Sequence, residues 1–352
     1  MKFNFAEAAL EAEKKVIQEM REKGRVEAFD FSDDIRSGRS TIREMIGTSD
    51  GAKEFLEKIV FDLAAGRQEV PLLYKDIFDT QTDANFPEVM KEKTVGNVQT
   101  VFLEKFEGGE IKFGSFGAGE EKTITMRTWA SGIEYDEDIA EYNQTWRVAS
   151  IGESFGKSYN HLLNHLHLGL IVNGVYSGTT TGTSSQADIL AAAKAQKGQG
   201  VKKPGVAQKI KGDITDKAVW RAAMQILPKG SVVLHNSFDT LAIQNVFASD
   251  LYVNNKPGQL QQHFANIKFV PYDGASIDVG EDHYDYQGVP QGTVYLLVPK
   301  LNFKEKIKHD LRTDSGDGDL SRLILSQVVG RTRRGALAAL GGENGAIKIS
   351  AA

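Results

Sequence analysis

Asp136-Glu-Asp-Ile-Ala-Glu-Tyr-Asn-Gln-Thr-Trp-Arg-Val-Ala-Ser-Ile-Gly-Glu-Ser-Phe-Gly-Lys-Ser-Tyr-Asn-His-Leu-Leu-Asn-His-Leu-His-Leu-Gly-Leu-Ile-Val172 is the longest run of the chain that keeps a helical period without a proline. Its apolar residues recur at Ile139, Tyr142, Trp146, Ala149, Phe155, Tyr159, Leu162, Leu166 and Leu170. Steps of three and four are those of one buried helix stripe. The period predicts a single helix of roughly 55 Å at ~1.5 Å per residue, a spine longer than most compact domains enclose. Asp136, Glu137 and Asp138 stand at its start, where the helix dipole favours acids, and Asn173-Gly174 follows its end as a C-cap signal.

The same stretch holds the strings that look most like chemistry. Gly152-Glu-Ser154-Phe-Gly156 fits the G-x-S-x-G nucleophile elbow, with Arg147 to Ile151 before it as a short strand and a helix after it. The hydrolase sheet, however, needs strand–helix units upstream, and nothing before Asp136 alternates that way. Gly152 to Ser158 also falls one residue short of a phosphate-binding loop. The alternative is that Gly152, Ser154 and Gly156 are small so that another element can pack close to the helix. His161 and His165 share a face at i and i+4 and could hold a metal, but Leu162 stands where H-E-x-x-H needs its Glu, and the chain has no cysteine. Two hydrogen-bonded helix histidines are the simpler expectation.

Composition narrows the class. A chain of 352 residues with 41% hydrophobic and 25% charged residues is long enough for two or three substructures of an ordinary soluble protein. Its 42 Lys and Arg against 47 Asp and Glu leave a net charge of −5, which argues against a surface that grips nucleic acid throughout. The absence of cysteine excludes disulfides and fits an intracellular origin. The N-terminal residues lack the apolar core of a signal peptide, and no run approaches the ~20 apolar residues of a membrane span.

Ala6 to Lys23 reads as an amphipathic helix with Val16 on its apolar side, and Gly51 to Ala65 as another, with Phe55, Ile59 and Leu63 inward. Few residues there could make a core of their own, and Pro71 forbids a regular helix through Glu69 to Phe78, so Gly24 to Phe86 is expected to be an arm lying on something else. Val98 to Trp129 reads as a β-hairpin turning at Gly108-Gly109, its second strand Lys122 to Trp129. Its tip carries Gly108, Gly109, Gly114, Gly117 and Gly119 around the apolar Ile111, Phe113 and Phe116, a combination that calls for a partner.

Further on, Ser177 to Ser185 is a low-complexity turn and Asp188 to Ala195 a short Ala-rich helix. Lys194 to Lys211 holds six lysines, no acid and no aromatic residue for base stacking, which favours a solvated loop over a nucleic-acid patch. Asp216 to Leu227 is a helix with Trp220, Ala223 and Leu227 inward, while Ser231 to His235 and Gly292 to Val298 are buried strands. Phe303 to Arg312 alternates, Asp314 to Asp319 is a turn whose spacing does not fit a calcium-binding hand, and Leu320 to Val329 returns as a strand. Arg331, Arg333 and Arg334 then form a cationic knot that should meet carboxylates in the chain or on a neighbour. Strands and helices mix without βαβ alternation, which gives an α+β fold.

In this order the pieces resemble the major capsid proteins of tailed bacteriophages, the family that shares the Hong Kong ninety-seven fold. The resemblance rests on the Val70-Pro71-Leu-Leu-Tyr74 arm, the glycine-tipped hairpin, Ile133 to Asp138 leading into the spine, Ile226 to Leu234, and Gly292 to Pro299. It runs from about Glu69 to Ile349. It implies an N-terminal helix and arm (1–90), an extended loop (91–134), a peripheral domain with the spine helix (135–177 and 300–352) and an axial domain (178–299). It also implies self-assembly, through hexamers and pentamers, into an icosahedral shell around double-stranded DNA that is held by non-specific proximity, with no enzymatic chemistry and no cofactor. Scaffolding, portal and decoration proteins would be the other partners. The shortness of the N-terminal part points to a separate scaffolding protein, and the location implied is the virion, after assembly in the host cytoplasm. Ile111, Phe113, Phe116, Arg331, Arg333 and Arg334 are the expected subunit contacts. Two other readings stand beside this one: an encapsulin-type compartment of the same fold, and a serine hydrolase using Ser154.

Overall fold

The computed structural model describes residues 14–16, 18, 22, 35, 37, 39–93, 121–177, 207–227, 229–248, 266–279, 281–317, 324–341 and 345–351. The α-helices whose bounds lie among the described residues include α1 (Ile42–Ile46), α2 (Ser49–Glu69), α3 (Glu137–Glu141), α4 (Thr145–Val172), α5 (Lys217–Ile226) and α6 (Thr240–Ala248). The first strands are β1 (Asp79–Thr82), β2 (Val89–Lys93), β3 (Glu121–Thr125), β4 (Arg127–Asp136), β5 (Tyr176–Ser177), β6 (Ala207–Lys211) and β7 (Val232–His235). After them come β8 (Lys268–Pro271), β9 (Gly274–Val279), β10 (Asp282–Gln287), β11 (Thr293–Leu297), β12 (Phe303–Asp317), β13 (Ile324–Ala338) and β14 (Ala346–Ser350). The fold is α+β. Two compact units share the chain: Met1–Leu72, Arg127–Leu163 and Ile307–Arg334 make the first, and Leu73–Met126, Asn164–Lys306 and Gly335–Ala352 the second.

In the first unit, Thr41 opens α1 with a capping box to Glu44, and Thr48 caps α2 through Gly51 N. Phe55, Ile59 and Leu63 of α2 meet Ile133 and Tyr135 of β4, Val328 of β13, and Val148 and Phe155 of α4 in one core. Residues 42–69 are therefore packed helices rather than the expected arm: they have little apolar surface of their own and bury it on β4, β13 and α4. Val16 is fully buried against Val60, Phe61 and Ala64, in keeping with an inward face on the N-terminal helix. The spine does not begin at Asp136. Asn143 takes a left-handed conformation at φ 53°, which Asn tolerates better than most residues, and separates α3 from α4. Its side chain accepts from Ile42 N at 2.8 Å and donates to Ser40 O, so the break holds the start of α1. α4 alone is about 42 Å long.

Its buried stripe also differs from the expected one. Phe155 and Tyr159 face inward as expected, but Tyr142, Trp146 and Leu170 are exposed, and Val148, Gly152, Gly156, Asn160 and Leu163 are the other inward positions. Glycine is the reason. A Cβ on Gly156 would collide with the Leu63 carbonyl, one on Gly66 with the Glu153 carbonyl, and one on Gly152 would lie 2.8 Å from Asp62 Cβ. α2 and α4 thus touch backbone to backbone, and Asn160 Nδ2 donates to Arg67 O and Val70 O, the carbonyls left open where α2 ends.

The second unit is built on a six-stranded sheet in the order β5-β6-β14-β11-β7-β8. β11 runs antiparallel to β14 and β7, while β6 is parallel to β14, and β7 to β8. Every residue of β7 and β11 is buried, as befits central strands covered on both faces. α5 and α6 cover one face, where Trp220, Ala223, Leu227 and Phe247 pack on Val233, Val294, Leu296 and Ile347. β6 shows that the lysine-rich segment ends in the sheet and not in a loop.

β3 pairs with β2, Lys91 opposite Thr123, and its Ile124 is buried under Gly335, where a Cβ would come within 2.7 Å. The expected strand Lys122 to Trp129 is consequently two strands, and β4 pairs instead with β13. Val98 to Phe102 and the tip with Ile111, Phe113 and Phe116 lie outside the described residues, as do 178–206. The return strand runs to Ala338, farther than the expected Val329.

Gly156→Ala is expected to destabilise the protein by about 1–3 kcal/mol through overpacking of the α2–α4 seam. Ser154→Ala, on the exposed side of the same turn, should stay within about 0.5 kcal/mol. Urea unfolding followed by circular dichroism separates the two.

Candidate subunit-contact residues

Ser154 sits inside a continuous helix. A nucleophile elbow places its serine on a tight turn between strand and helix, whereas Arg147 to Ile151, the would-be strand, belongs to α4. The motif is a by-product of the glycine seam. His161 and His165 are about half buried, and burial lowers both pKa values, keeping the imidazoles neutral, although Asp285 partly offsets this for His165. His165 stacks on Tyr286 at 4.8 Å, and its Nδ1 has no hydrogen-bond partner among the described residues, so the ring contact and not the expected hydrogen bond holds it. No group of three or more His, Asp or Glu suited to a metal occurs among the described residues, and no described helix is long and apolar enough to cross a membrane.

The three arginines do not form one knot: they lie on β13, whose alternation puts Arg331 and Arg333 on one face and Arg334 on the other. Arg334 turns inward, with 3% of its side chain exposed. Its guanidinium donates to Asp310 Oδ1 at 2.7 Å, Tyr159 Oη at 2.6 Å and Thr332 Oγ1 at 3.1 Å, while Tyr159 donates to Asp310 at 3.0 Å. Arg67 lies over the same tyrosine ring at 5.3 Å. Burial pushes the Tyr159 phenol up, so it remains a donor. Burial also acts to raise Asp310, but Arg334, the Leu311 N–H, Arg67 and Tyr159 together outweigh it and hold this carboxyl below its ordinary value. Arg331 faces outward and pairs with Asp314 at 2.8 Å, both side chains more than half exposed. Asp314, expected to open an acidic turn, lies instead on β12, which continues to Asp317, and is engaged with this arginine.

Other buried polar groups gave no sign in the sequence. His167 Nε2 lies 2.9 Å from Glu305 Oε1, with both side chains essentially sealed from water. Tyr74 stacks flat on the imidazole at 3.8 Å, and Phe78 meets its edge at 5.0 Å. Thr80 donates to the other Glu305 oxygen at 2.8 Å, and Asn164 Oδ1 accepts from Leu73 N at 2.9 Å. Residues 73–80 are thus fixed on the last turns of α4 and on β12. Lys58 and Asp62, on α2, make a second buried pair at 2.7 Å. Its i,i+4 spacing was visible, but nothing marked it as internal. A two-stranded ladder, β2 with β3, stands at the root of residues 94–120, with Val89 exposed and Ile124 anchoring it.

No family profile and no curated protein matches the sequence. Solved structures similar to it include a virus-like particle from Pyrococcus furiosus, at 11% identity and TM-score 0.47, covering 84% of this chain and 100% of that one. The capsid of Myoviridae phage XM1 is similar at 13% identity and TM-score 0.42, over 78% and 90% of the two chains. The capsid of cyanophage P-SCSP1u is similar at 14% and 0.41, over 80% and 88%. Likeness at this level carries no functional step, which has to come from the chain's own elements.

Arg334→Leu should cost about 1.5–3 kcal/mol, since it removes charge-assisted bonds from a buried site, whereas Arg331→Ala should cost less than about 1 kcal/mol. Because the folded Asp310 pKa is depressed, its contribution is present above the unfolded value and is lost as pH falls through the folded one. The stability gap between wild type and Arg334→Leu, measured by urea unfolding, should therefore narrow on acidification through the carboxylate range.

Proposed function

We propose that this chain is a shell-forming structural subunit, the major capsid protein of a tailed bacteriophage, and that it encloses double-stranded DNA without chemistry of its own. The observation that carries the reading is the order of elements along the chain. A two-stranded stem bearing a long insertion is followed by the helix α4 and then by a mixed sheet. The fully buried strands of that sheet, β7 and β11, overlap Ile226 to Leu234 and lie within Gly292 to Pro299, the segments on which the family resemblance rests in part.

A glycine-rich tip costs about 1–2 kcal/mol per residue to order. Ile111, Phe113 and Phe116 would return roughly 1.5–3 kcal/mol each on full burial. Docking of this tip on an adjacent subunit, repeated around a closed ring, supplies that burial. Arg331 and Arg333 are assigned to the same kind of contact, while the bonds of Arg334 lie within the subunit. With a net charge of −5 the DNA would be held by enclosure, not by a basic surface. Scaffolding, portal and decoration proteins are the further partners proposed, with assembly in the host cytoplasm and the virion as the final location.

Deleting residues 107–120 and closing the gap with a short turn should leave a folded subunit by circular dichroism that sediments without forming particles. Full-size particles from that deletion would refute the loop's role. Nuclease-protected double-stranded DNA inside wild-type particles made in infected cells supports the phage reading, and an enzyme cargo in its place would transfer the chain to the encapsulin-type compartments.

A further inference from the structure

The six-stranded sheet carries a pair of lysines near one edge, and the hairpin that follows its other edge strand carries a group of acids. Near one end, β6 and β14 pair in parallel with Lys209 directly across from Lys348, so both amines emerge on the same face. The Lys348 amine lies over a pair of tyrosine rings whose centres are 5.4 Å apart, 6.0 Å from the centre of Tyr176 and 5.7 Å from that of Tyr295. Burial, together with the charge of Lys209, lowers its pKa. Neither lysine has a carboxylate partner among the described residues. Two facing ammonium groups repel each other, and the arrangement is relieved when an anion sits between them.

At the other end, β8 is the last strand of the sheet, and the chain leaves it for the β9–β10 hairpin. The root of this hairpin is fixed: Asp273 accepts from Ser237 N at 2.7 Å and Val289 N donates to Tyr272 O at 2.9 Å. Its tip is not covered. Val279 and Tyr284 are 60% and 51% exposed. Asp278, itself 79% exposed, pairs with His283 at 2.6 Å, and Glu281 and Asp282 have no ion-pair partner among the described residues. A two-stranded hairpin gains little stability alone, and one crowded with like charges gains less.

We propose that copies of this chain meet head to tail, the acidic tip of one hairpin (Asp278, Glu281, Asp282) docking on the Lys209–Lys348 pair of the next copy. Acid and base lie on different patches, so the contact is heterologous, and repetition with closure makes a ring. Val279 and Tyr284 would be covered in the same contact. This rests on the shell reading and specifies one of its interfaces.

Charge exchange tests it. Lys209→Glu/Lys348→Glu turns both patches acidic, and Glu281→Lys/Asp282→Lys turns both basic. Each double variant alone should lose particle formation in sedimentation velocity, whereas an equimolar mixture should regain association as six-membered rings in which the two variants alternate. Particle formation by either variant alone at the wild-type level overturns the contact while leaving the shell reading intact. A mixture of folded variants that stays dissociated also overturns it. A wild type that never assembles removes the shell reading and the contact together. Should Lys209→Glu/Lys348→Glu fail to fold, carbodiimide coupling of wild-type particles built from mixed light and heavy-isotope subunits gives the same decision. Amides from Lys209 or Lys348 to Asp278, Glu281 or Asp282 of a differently labelled copy are expected; coupling of these acids only to other lysines overturns the proposal.

Discussion

Backbone contact between α2 and α4 is the constraint on which the first unit depends. Helices separated by side chains lie about 8–10 Å apart, but here Gly66, Gly152 and Gly156 remove the side chains where the axes come nearest. That closeness lets Asn160 reach the carbonyls at the end of α2 and lets Arg67 lie over Tyr159. Tyr159 in turn organises Asp310 and Arg334, so the cluster on β12 and β13 is an extension of the seam. Farther along α4 the same logic of polar residues on the buried face continues with Asn164 and His167.

This use of glycine and polar residues explains what could and could not be read from the sequence. Where burial is apolar and local, the reading was good. The run Val232 to His235 and the run Thr293 to Leu297 became fully buried strands, and α5 turned Trp220 and Ala223 inward with Asp216 as its cap. The inward face of α4 was read in part: Phe155 and Tyr159 are buried and Gly152 and Gly156 admit a close neighbour as expected, but the stripe was carried through Tyr142, Trp146 and Leu170, whereas Asn160 and Leu163 are the inward residues, and an apolar period does not register asparagine. Asn143 was passed over because a single left-handed residue does not disturb such a period.

Pairing across long distances was the other hidden quantity. β3 and β4 form one continuous alternating run in sequence, yet they belong to different ladders, one with β2 and the other with β13. Only the tertiary partners, Val89 to Lys93 and Ile324 to Arg334, decide this. The arginines illustrate the same point: adjacent letters suggested a joint site, and strand alternation gave Arg334 a buried structural role and Arg331 a solvent-exposed pair.

An apolar glycine-rich tip, exposed Val279 and Tyr284, and a lysine pair and an acidic hairpin without oppositely charged side-chain partners for Lys209, Lys348, Glu281 and Asp282 among the described residues are poorly explained as features of a solitary protein. They are economically explained if copies of the chain surround one another. Electron microscopy of the purified full-length protein tests this most directly. The account predicts closed, uniformly sized shells with local rings of subunits, and it would be contradicted by isolated subunits or open filaments under every condition in which the chain is folded.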